Sequence, residues 1–198
     1  MQTVKLVLAS TSPYRAQLLD QLGLDYVQAS PGVDETAFRA LPPVEMATAL
    51  AKAKAEALRS LGGYVIGADQ VLELDGEVLG KPGTVDAAVD QLLKLAGRTH
   101  RLITAVAVCE AETGRLEWDV DIHKLQMRPW SRPELEAYVS HDSPIQCAGS
   151  YMLERRGIAL FERIEADPDA SDSSAVVGLP LLKLVGLLRR FGLEVLTA

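Results

Sequence analysis

Apolar residues along this chain recur with two different periods, and each period predicts one type of element. Short apolar or alternating runs bounded by turn residues predict strands, over residues 4–9, 26–29, 64–69, 71–74, 102–109, 116–127 and 157–164. Apolar residues that return every three or four positions predict helices, after Ser12, over residues 43–61, after Thr84, from Ser131 to Ser140 and over residues 181–190. Strands and helices alternate without repeats or long linkers.

Cap and turn residues mark several of these boundaries. Ser12 is a good N-cap, and Pro13 suits the first position of a helix. Ser131 and Glu134 have the spacing of a capping box. The mixture of elements indicates an α/β or α+β fold with a mixed sheet, in one domain that spans residues 1–198. Residues 165–174, rich in Asp, Ser and Ala, are interpreted as a solvated loop.

Composition and charge narrow the class of protein. Hydrophobic residues make up 48% and charged residues 24% of the 198, which is typical of soluble globular proteins. No apolar run approaches the ~20 residues that a bilayer crossing needs, and the apolar stretch at residues 4–9 is too short for a signal peptide. We therefore expect a cytoplasmic protein with no membrane partner. A formal net charge of −7 argues against nucleic acid as a partner.

Cysteine and histidine provide no recognisable metal motif. Cys109 and Cys147 lack metal-ligand spacing and are interpreted as small buried residues. The three histidines fit neither a zinc motif nor a catalytic triad, so they are given no role.

The segment from Ser10 to Arg15 is the first candidate for chemistry. Hydroxyl side chains lie where a predicted strand gives way to a helix, and the free N–H groups at a helix start favour an anion. Arg15 lies on the first turn and can return toward the cap. The pattern fits a phosphate cradle, but it equally fits simple capping by Ser12 beside a solvated arginine.

Lys54, Asp69 and Lys81 form a second group of candidates. Lys54 lies on the apolar face of its helix, where a lysine either reaches past the rim to solvent or meets an anion in a cleft. Asp69 follows an apolar run, and the turn at residues 75–76 can bring Lys81 back beside it. A carboxylate with cations suits phosphoryl chemistry, although a surface salt bridge is the alternative. Glu35, in an acidic pair after a Pro-Gly turn, either ligates Mg²⁺ or lies in a solvated loop.

Six short motifs resemble those of the Maf family in order and spacing. They extend over nearly the whole chain, and although each motif alone is weak, six in register are specific. They are LASTSPYR at 8–15, VDET at 33–36, GADQ at 67–70, GKP at 80–82, CAGSY at 147–151 and VGLPL at 177–181. The segment 167–174 is a few residues longer than is usual in this family.

The resemblance implies a fold, an activity and a set of site residues. Maf proteins are nucleotide pyrophosphatases with an α/β, ITPase-like fold around a deep central cleft. They require a divalent cation (Mg, Mn or Co), and they are often homodimers. By motif, Asp69 is the proton acceptor that activates water, and Glu35 joins Asp69 at the metal. The triphosphate is held by Ser10, Arg15, Lys54 and Lys81.

Three positions distinguish the two main branches of the family. The branch that acts on dTTP and UTP typically has Arg, Thr and Gln where this chain has Tyr14, Gln70 and Glu154. The chain is similar to the other branch, which acts on 7-methyl-GTP. This choice is chemically reasonable, because the ring of Tyr14 can stack on a positively charged methylated purine. Glu154 offers acceptors to a guanine edge.

Two alternatives to a 7-methyl-GTP pyrophosphatase follow from the same resemblance. One is the same chemistry on dTTP and UTP. The other is a non-enzymatic regulatory protein of cell division, since the family is named after inhibition of septum formation. Because Asp69 and Lys81 are both present, the sequence favours an active enzyme over a binding protein.

Overall fold

A computed structural model of the chain describes residues 5–166 and 171–197. Its strands are β1 (Leu6–Ala9), β2 (Tyr26–Ala29), β3 (Tyr64–Leu74), β4 (Glu77–Leu79), β5 (Thr99–Glu110), β6 (Leu116–Met127) and β7 (Phe161–Ala166). Its α-helices are α1 (Pro13–Asp20), α2 (Pro43–Ala57), α3 (Val85–Leu95), α4 (Arg132–Asp142), α5 (Ser174–Val177) and α6 (Leu181–Arg190). Within these ranges, none of the helices has both the length and the apolar character that a membrane crossing demands.

All seven strands belong to one mixed sheet. The order is β2-β1-β3-β5-β6-β7, with β4 beside β3. β1 runs parallel to β2 and to β3, whereas the remaining neighbours are antiparallel. The predicted α/β fold with a mixed sheet is therefore confirmed.

The sheet is interrupted on one edge of β3. The β5 strand pairs with β3 from Tyr64 to Glu73 without a break. On the opposite edge, β1 pairs with residues 64–67 and β4 with residues 72–74. Among the described residues, no strand pairs with residues 68–71 on that edge, and we call this interruption the gap. Because β1 is parallel and β4 antiparallel to β3, the chain leaves both strands toward the gap, at Ser10 and at Gly80.

One face of the sheet is covered by α2. The helix presents Ala47, Ala51 and Ala55, which are fully buried against β3 and β5. Its approach is closest at Gly67, where an added Cβ would lie 2.2 Å from the carbonyl oxygen of Ala51. Small residues on the helix and glycine on the strand thus bring the α2 backbone directly over β3. This close packing places Lys54 above Asp69.

Two apolar clusters cover the other face of the sheet. One cluster joins α1 and α6 to the parallel part of the sheet through residues such as Leu19, Leu184 and Leu187. The other joins α3 and α4 to the far ends of β3, β5 and β6 through residues such as Leu92 and Leu135. The short helix α5 lies between them.

Several predicted boundaries were wrong. The second helix was predicted to reach residue 61, but α2 ends at Ala57 and a 3-10 turn follows over Arg59–Leu61. The strand predicted from residue 157 begins only at Phe161, because Arg156–Leu160 form a 3-10 helix. Gly157 packs so tightly there that an added Cβ would lie 2.4 Å from the carbonyl oxygen of Met152.

The two segments predicted on either side of Gln70 are one continuous strand, β3. The acid at Asp69 therefore lies within a strand, beside the end of β1, and not at a strand terminus. The loop predicted over residues 165–174 was also only partly right. Its first two residues belong to β7, Ser174 is buried and opens α5, and residues 167–170 lie outside the described ranges.

Candidate functional site

A cleft of about 490 Å³ opens over the gap. Of the nine side chains that the sequence nominates, eight line it, namely Ser10, Tyr14, Arg15, Glu35, Lys54, Gln70, Lys81 and Glu154. The ninth, Asp69, is buried directly behind Lys54. The topology explains this assembly, since β1 delivers Ser10 from one side of the gap and β4 delivers Lys81 from the other.

Lys54 connects the two candidate acids. Its Nζ lies 2.6 Å from Oδ1 of Asp69 and 2.7 Å from Oε1 of Glu35. The residue is only 7% exposed, so the alternative of a lysine that reaches out to solvent is wrong. Glu35 reaches this lysine from a 3-10 helix (Glu35–Phe38), whose N-cap Asp34 accepts from the Thr36 N–H group.

The two carboxylates share one lysine but differ in acidity because they differ in burial. Burial raises the pKa of Asp69, and the charges of Lys54 and Arg15 offset only part of that rise. Burial also acts to raise the pKa of Glu35, but its hydrogen bond with Lys54 and the nearby cations lower it overall. The Glu35 side chain is 56% exposed and that of Asp69 is 10% exposed. Water can solvate the first carboxylate and is largely excluded from the second.

The loop after β1 caps α1 and holds the side chain of Arg15 in place. Ser12 caps α1, since its Oγ accepts from the Arg15 N–H group at 3.4 Å. The Oγ of Ser10 accepts from the Ser12 N–H group at 3.1 Å and from Nη1 of Arg15 at 3.4 Å. Arg15 is half-buried, and its Nε donates to the Gly178 carbonyl at 2.9 Å. The arginine is thus held over the loop and is not a freely solvated side chain.

The α5 segment is attached to the sheet by polar contacts that the sequence analysis missed. Nε2 of Gln70 donates to the carbonyls of Ala175 (2.9 Å) and Val176 (3.2 Å), and Oγ1 of Thr104 donates to Ala175 at 2.9 Å. Gly178, with a φ of +119°, then turns its carbonyl toward Arg15. A threonine within the apolar run of β5 was the available signal for this attachment.

Two of the three predicted specificity residues, Tyr14 and Glu154, lie at the other end of the cleft, whereas the third, Gln70, follows Asp69 on β3. Oη of Tyr14 donates to Sδ of Met152 at 3.4 Å. Burial, with the nearby Cys147 and Glu154, raises the pKa of the Tyr14 hydroxyl. Glu154 is exposed at the rim. Of the two cysteines interpreted as buried, Cys109 is fully buried, whereas Cys147 is half-buried and lines the cleft.

The residues available for a metal are the two carboxylates of Glu35 and Asp69. In the described ranges, no group of three or more His, Cys, Asp or Glu side chains could hold an ion by itself. Magnesium is often held by only one or two carboxylates together with substrate phosphates. Two carboxylates that converge on one lysine nitrogen, beside an open cleft, fit such a shared site.

Several known proteins are similar to this chain over nearly its whole length. A protein of Xanthomonas campestris pv. campestris (strain 8004) named 7-methyl-GTP pyrophosphatase is 43% identical over 190 residues, which are 95% of this chain and 96% of that protein. Proteins with the same name from Bdellovibrio bacteriovorus and Vibrio cholerae are 39% and 40% identical. They match 98% and 99% of this chain, and in both cases 100% of the relative.

One solved structure also shows partial similarity. A HAM1 protein from Coxiella burnetii superimposes with a TM-score of 0.44 at 15% identity, over 63% of this chain and 73% of that chain. The family profile described as Maf-like protein matches residues 5–191. The chain therefore belongs to the Maf family.

Proposed function

We propose that this protein is a nucleotide pyrophosphatase that hydrolyses 7-methyl-GTP to 7-methyl-GMP and pyrophosphate. The names of several relatives near 40% identity support this assignment. The observation that carries it is the buried contact of Lys54 with Asp69 and Glu35 at the base of a cleft that also contains Arg15 and Lys81. Such a site pairs a carboxylate base with cations for a triphosphate.

Asp69 is the proposed proton acceptor. Water forms a bond to phosphorus, the anhydride bond between the α and β phosphates breaks, and the proton of the water passes to the Asp69 carboxylate. Burial suits this role, because a raised carboxyl pKa makes the group a stronger base. Without ligand, Lys54 covers Asp69 from the cleft side. An incoming triphosphate meets Lys54 first, and movement of its ammonium toward phosphate uncovers the carboxylate.

Arg15, Lys81 and Ser10 are the proposed remaining contacts of the triphosphate. Each lies in the cleft lining beside the gap. The positive charges of Arg15 and Lys81 oppose the charge on the phosphates, and the neutral Ser10 hydroxyl offers a hydrogen bond. Glu35 and Asp69 are the proposed ligands of a divalent cation (Mg, Mn or Co). When bound, such an ion supplies neutralisation of phosphate charge and a contact that orients the substrate.

Tyr14 and Glu154 are proposed to select the base. Tyr14 offers a ring for stacking on a positively charged methylated purine, and Glu154 offers anionic acceptors to the guanine edge. Gln70 is proposed to act on the base pocket through α5, because its amide nitrogen is engaged by the Ala175 and Val176 carbonyls.

The test is pyrophosphate release from a panel containing 7-methyl-GTP, GTP, dTTP and UTP, with Mg²⁺, Mn²⁺ or Co²⁺ and with EDTA. We expect the highest kcat/KM on 7-methyl-GTP and loss of activity with EDTA. A preference for dTTP or UTP supports the pyrimidine alternative. Release of pyrophosphate from none of them, with intact nucleotide binding, supports the regulatory alternative.

We also propose that the protein is a cytoplasmic homodimer. Residues 116–122 of β6 pair only with β5 in the described part of the chain, and Trp118 on this segment is 46% exposed. An unpaired strand edge with an exposed aromatic residue suits contact with a second copy. Light scattering should give twice the chain mass, and Trp118→Glu should reduce it toward that of one chain.

A further inference from the structure

The side chain of Gln91, on α3, connects two loops that line different parts of the cleft. Its Nε2 donates to the carbonyl of Gly80 at 2.9 Å, and its Oε1 accepts from Oγ of Ser150 at 2.5 Å. Gly80 directly precedes Lys81. Ser150 belongs to the segment 147–151, which lines the end of the cleft near Tyr14 and Glu154. One side chain outside the cleft lining therefore links the loop that bears Lys81 to the segment 147–151, which we call the base-side loop.

The chemistry of these contacts fixes the orientation of the amide. A backbone carbonyl only accepts hydrogen bonds, so the NH₂ group of Gln91 must face Gly80. The amide oxygen then faces Ser150, whose hydroxyl must donate. Among side chains of this length, only glutamine supplies one donor and one acceptor without having to be protonated, which makes the bridge specific to glutamine near neutral pH.

The Ser150 end of the bridge is a fixed point. Ser150 is fully buried and has a φ of +60°, in the left-handed region that side chains rarely adopt. The preceding Gly149 has a φ of +78°, and an added Cβ would lie 2.2 Å from Cδ1 of Leu72. This local geometry leaves the Ser150 hydroxyl little freedom. The position of Gly80 relative to the base-side loop is therefore fixed through Gln91.

The loop that bears Lys81 depends on such tethers. In the described part of the chain, the exposed Lys81 side chain has no hydrogen-bond or ion-pair partner. Its location is therefore set by the backbone that carries it. That backbone is tied at Gly80 by Gln91 and at Gly83, whose N–H group donates to the Ile145 carbonyl at 3.0 Å. Both tethers lead to the segment 145–151.

We propose that Gln91 is a positioning residue that holds Lys81 in place against the base-side loop. The inference rests on the proposed function, in which Lys81 contacts the triphosphate. The bridge sets the spacing between Lys81 and the base-reading residues, so that base and triphosphate are bound in register. Without the bridge, the loop that carries Lys81 is less well ordered, and Lys81 contributes less to binding of the triphosphate.

The test is a double-mutant cycle between Gln91→Met and Lys81→Ala. Methionine keeps the length of the side chain but has no amide. Binding of inorganic triphosphate is measured by calorimetry, and kcat/KM on 7-methyl-GTP is measured in parallel. Gln91→Met loses both hydrogen bonds of the bridge, but it affects the triphosphate only through Lys81, so we expect it to weaken binding about threefold to tenfold. Lys81→Ala should then have a clearly smaller effect in the Gln91→Met background than in the wild type.

Lys94→Met is the matched control, since Lys94 is an exposed residue one turn further along α3. It should bind triphosphate like the wild type and keep the full effect of Lys81→Ala. Gln91→Glu provides a second variant in case the methionine variant does not fold. It keeps the acceptor for Ser150 but loses the donor to Gly80, so its defect relative to the wild type should shrink as pH falls and the carboxyl regains a proton.

Independent effects of the Gln91 and Lys81 substitutions, in both binding and turnover, would overturn the inference. So would a Gln91→Glu defect that does not vary with pH. Failure of the proposed function is a separate result, because it would appear as a wild type that releases no pyrophosphate. The calorimetric cycle remains decisive for Gln91 in that case, since it requires binding alone.

Discussion

At the Asp69 end of the cleft the central ion pair is buried, whereas at the Glu154 end the charged group is open to solvent. Lys54 and Asp69 are 7% exposed each, and the lysine contacts two acids. Glu154 is exposed, and Tyr14 has a single described side-chain hydrogen bond, to Met152. The Lys54 contacts at the end assigned to phosphate chemistry are thus in place before any ligand arrives. The end assigned to the base is left open for a ligand to complete.

This difference suggests a division of energetic roles. Groups held in place without water stabilise developing charge without having to reorganise. Exposed groups gain most of their effect when a ligand covers them, so they discriminate between ligands. Substitutions at the buried end should therefore lower turnover of every substrate, and substitutions at the open end should change the preference among substrates.

The largest expected effect is that of Asp69→Asn. The change preserves shape but removes the proposed proton acceptor, so turnover should fall about 100-fold or more on every substrate. Nucleotide affinity, measured separately by calorimetry, should change far less. Near-normal turnover of this variant with Mg²⁺ would contradict the assignment and would make Glu35 the next candidate.

The next effect tests the open end through Glu154→Gln, which is almost isosteric. A charge-assisted hydrogen bond contributes about 1.5–3 kcal/mol, so preference for 7-methyl-GTP should drop roughly 10- to 100-fold. Adding Tyr14→Arg should deepen this loss while dTTP and UTP suffer much less. The measurement is kcat/KM on 7-methyl-GTP, GTP, dTTP and UTP. Equal losses on all four substrates would remove the distinction between the two ends.

A third comparison contrasts two lysines of α2. Lys54→Met leaves Asp69 buried without its partner, and breaking a buried pair typically costs about 3–5 kcal/mol of folding stability. Lys52 lies on another face, with its Nζ 3.1 Å from the ring centroid of Trp118. Lys52→Met should cost about 0.5–1 kcal/mol and leave activity unchanged. Chemical denaturation measures the stability of both variants, and pyrophosphate release measures their activity. Equal effects of the two substitutions on activity would contradict the argument from helix facing.

The smallest expected effect is a displacement in pH dependence. Asp69 must be ionised to accept a proton, and burial raises its pKa. As pH falls, kcat/KM should therefore decline at a higher pH than an ordinary aspartate would give. The raised pKa also means that ionisation of Asp69 weakens folding stability as pH rises through that pKa. Asp69→Asn should remove the Asp69 contribution to this pH dependence of unfolding, which denaturation at several pH values would detect.

Local patterns predicted those features that local chemistry decides. The helical period correctly placed Lys54 on the buried face. The predicted helix starts after Ser12, after Thr84 and at Ser131 were confirmed, with the capping box at Glu134. The strand at Tyr26–Ala29 and the last helix were predicted within their observed bounds.

Features that depend on distant contacts were missed. The end of α2 at Ala57 and the 3-10 helix at Arg156–Leu160 lie in apolar stretches whose period does not distinguish these structures. To predict the gap, one would have to know which strands flank β3 and at which residue each of them ends. The approach of Glu35 to Lys54 and the attachment of α5 through Thr104 join residues far apart in sequence, so no window of neighbouring residues reveals them.

The gap in the sheet limits how the site can be altered. Its length is the stretch of β3 left between the ends of two flanking strands, so it can change only in whole residues, by about 3.3 Å each. Adding or removing one residue in β4 would also turn the side chains that follow it within the strand to the opposite face. Insertions at this edge would therefore displace the loop that carries Lys81. At the Asp69 end, small changes in the distances between site groups can therefore come only from changes in side-chain length. At the Glu154 end, the loops can also change their backbone conformation.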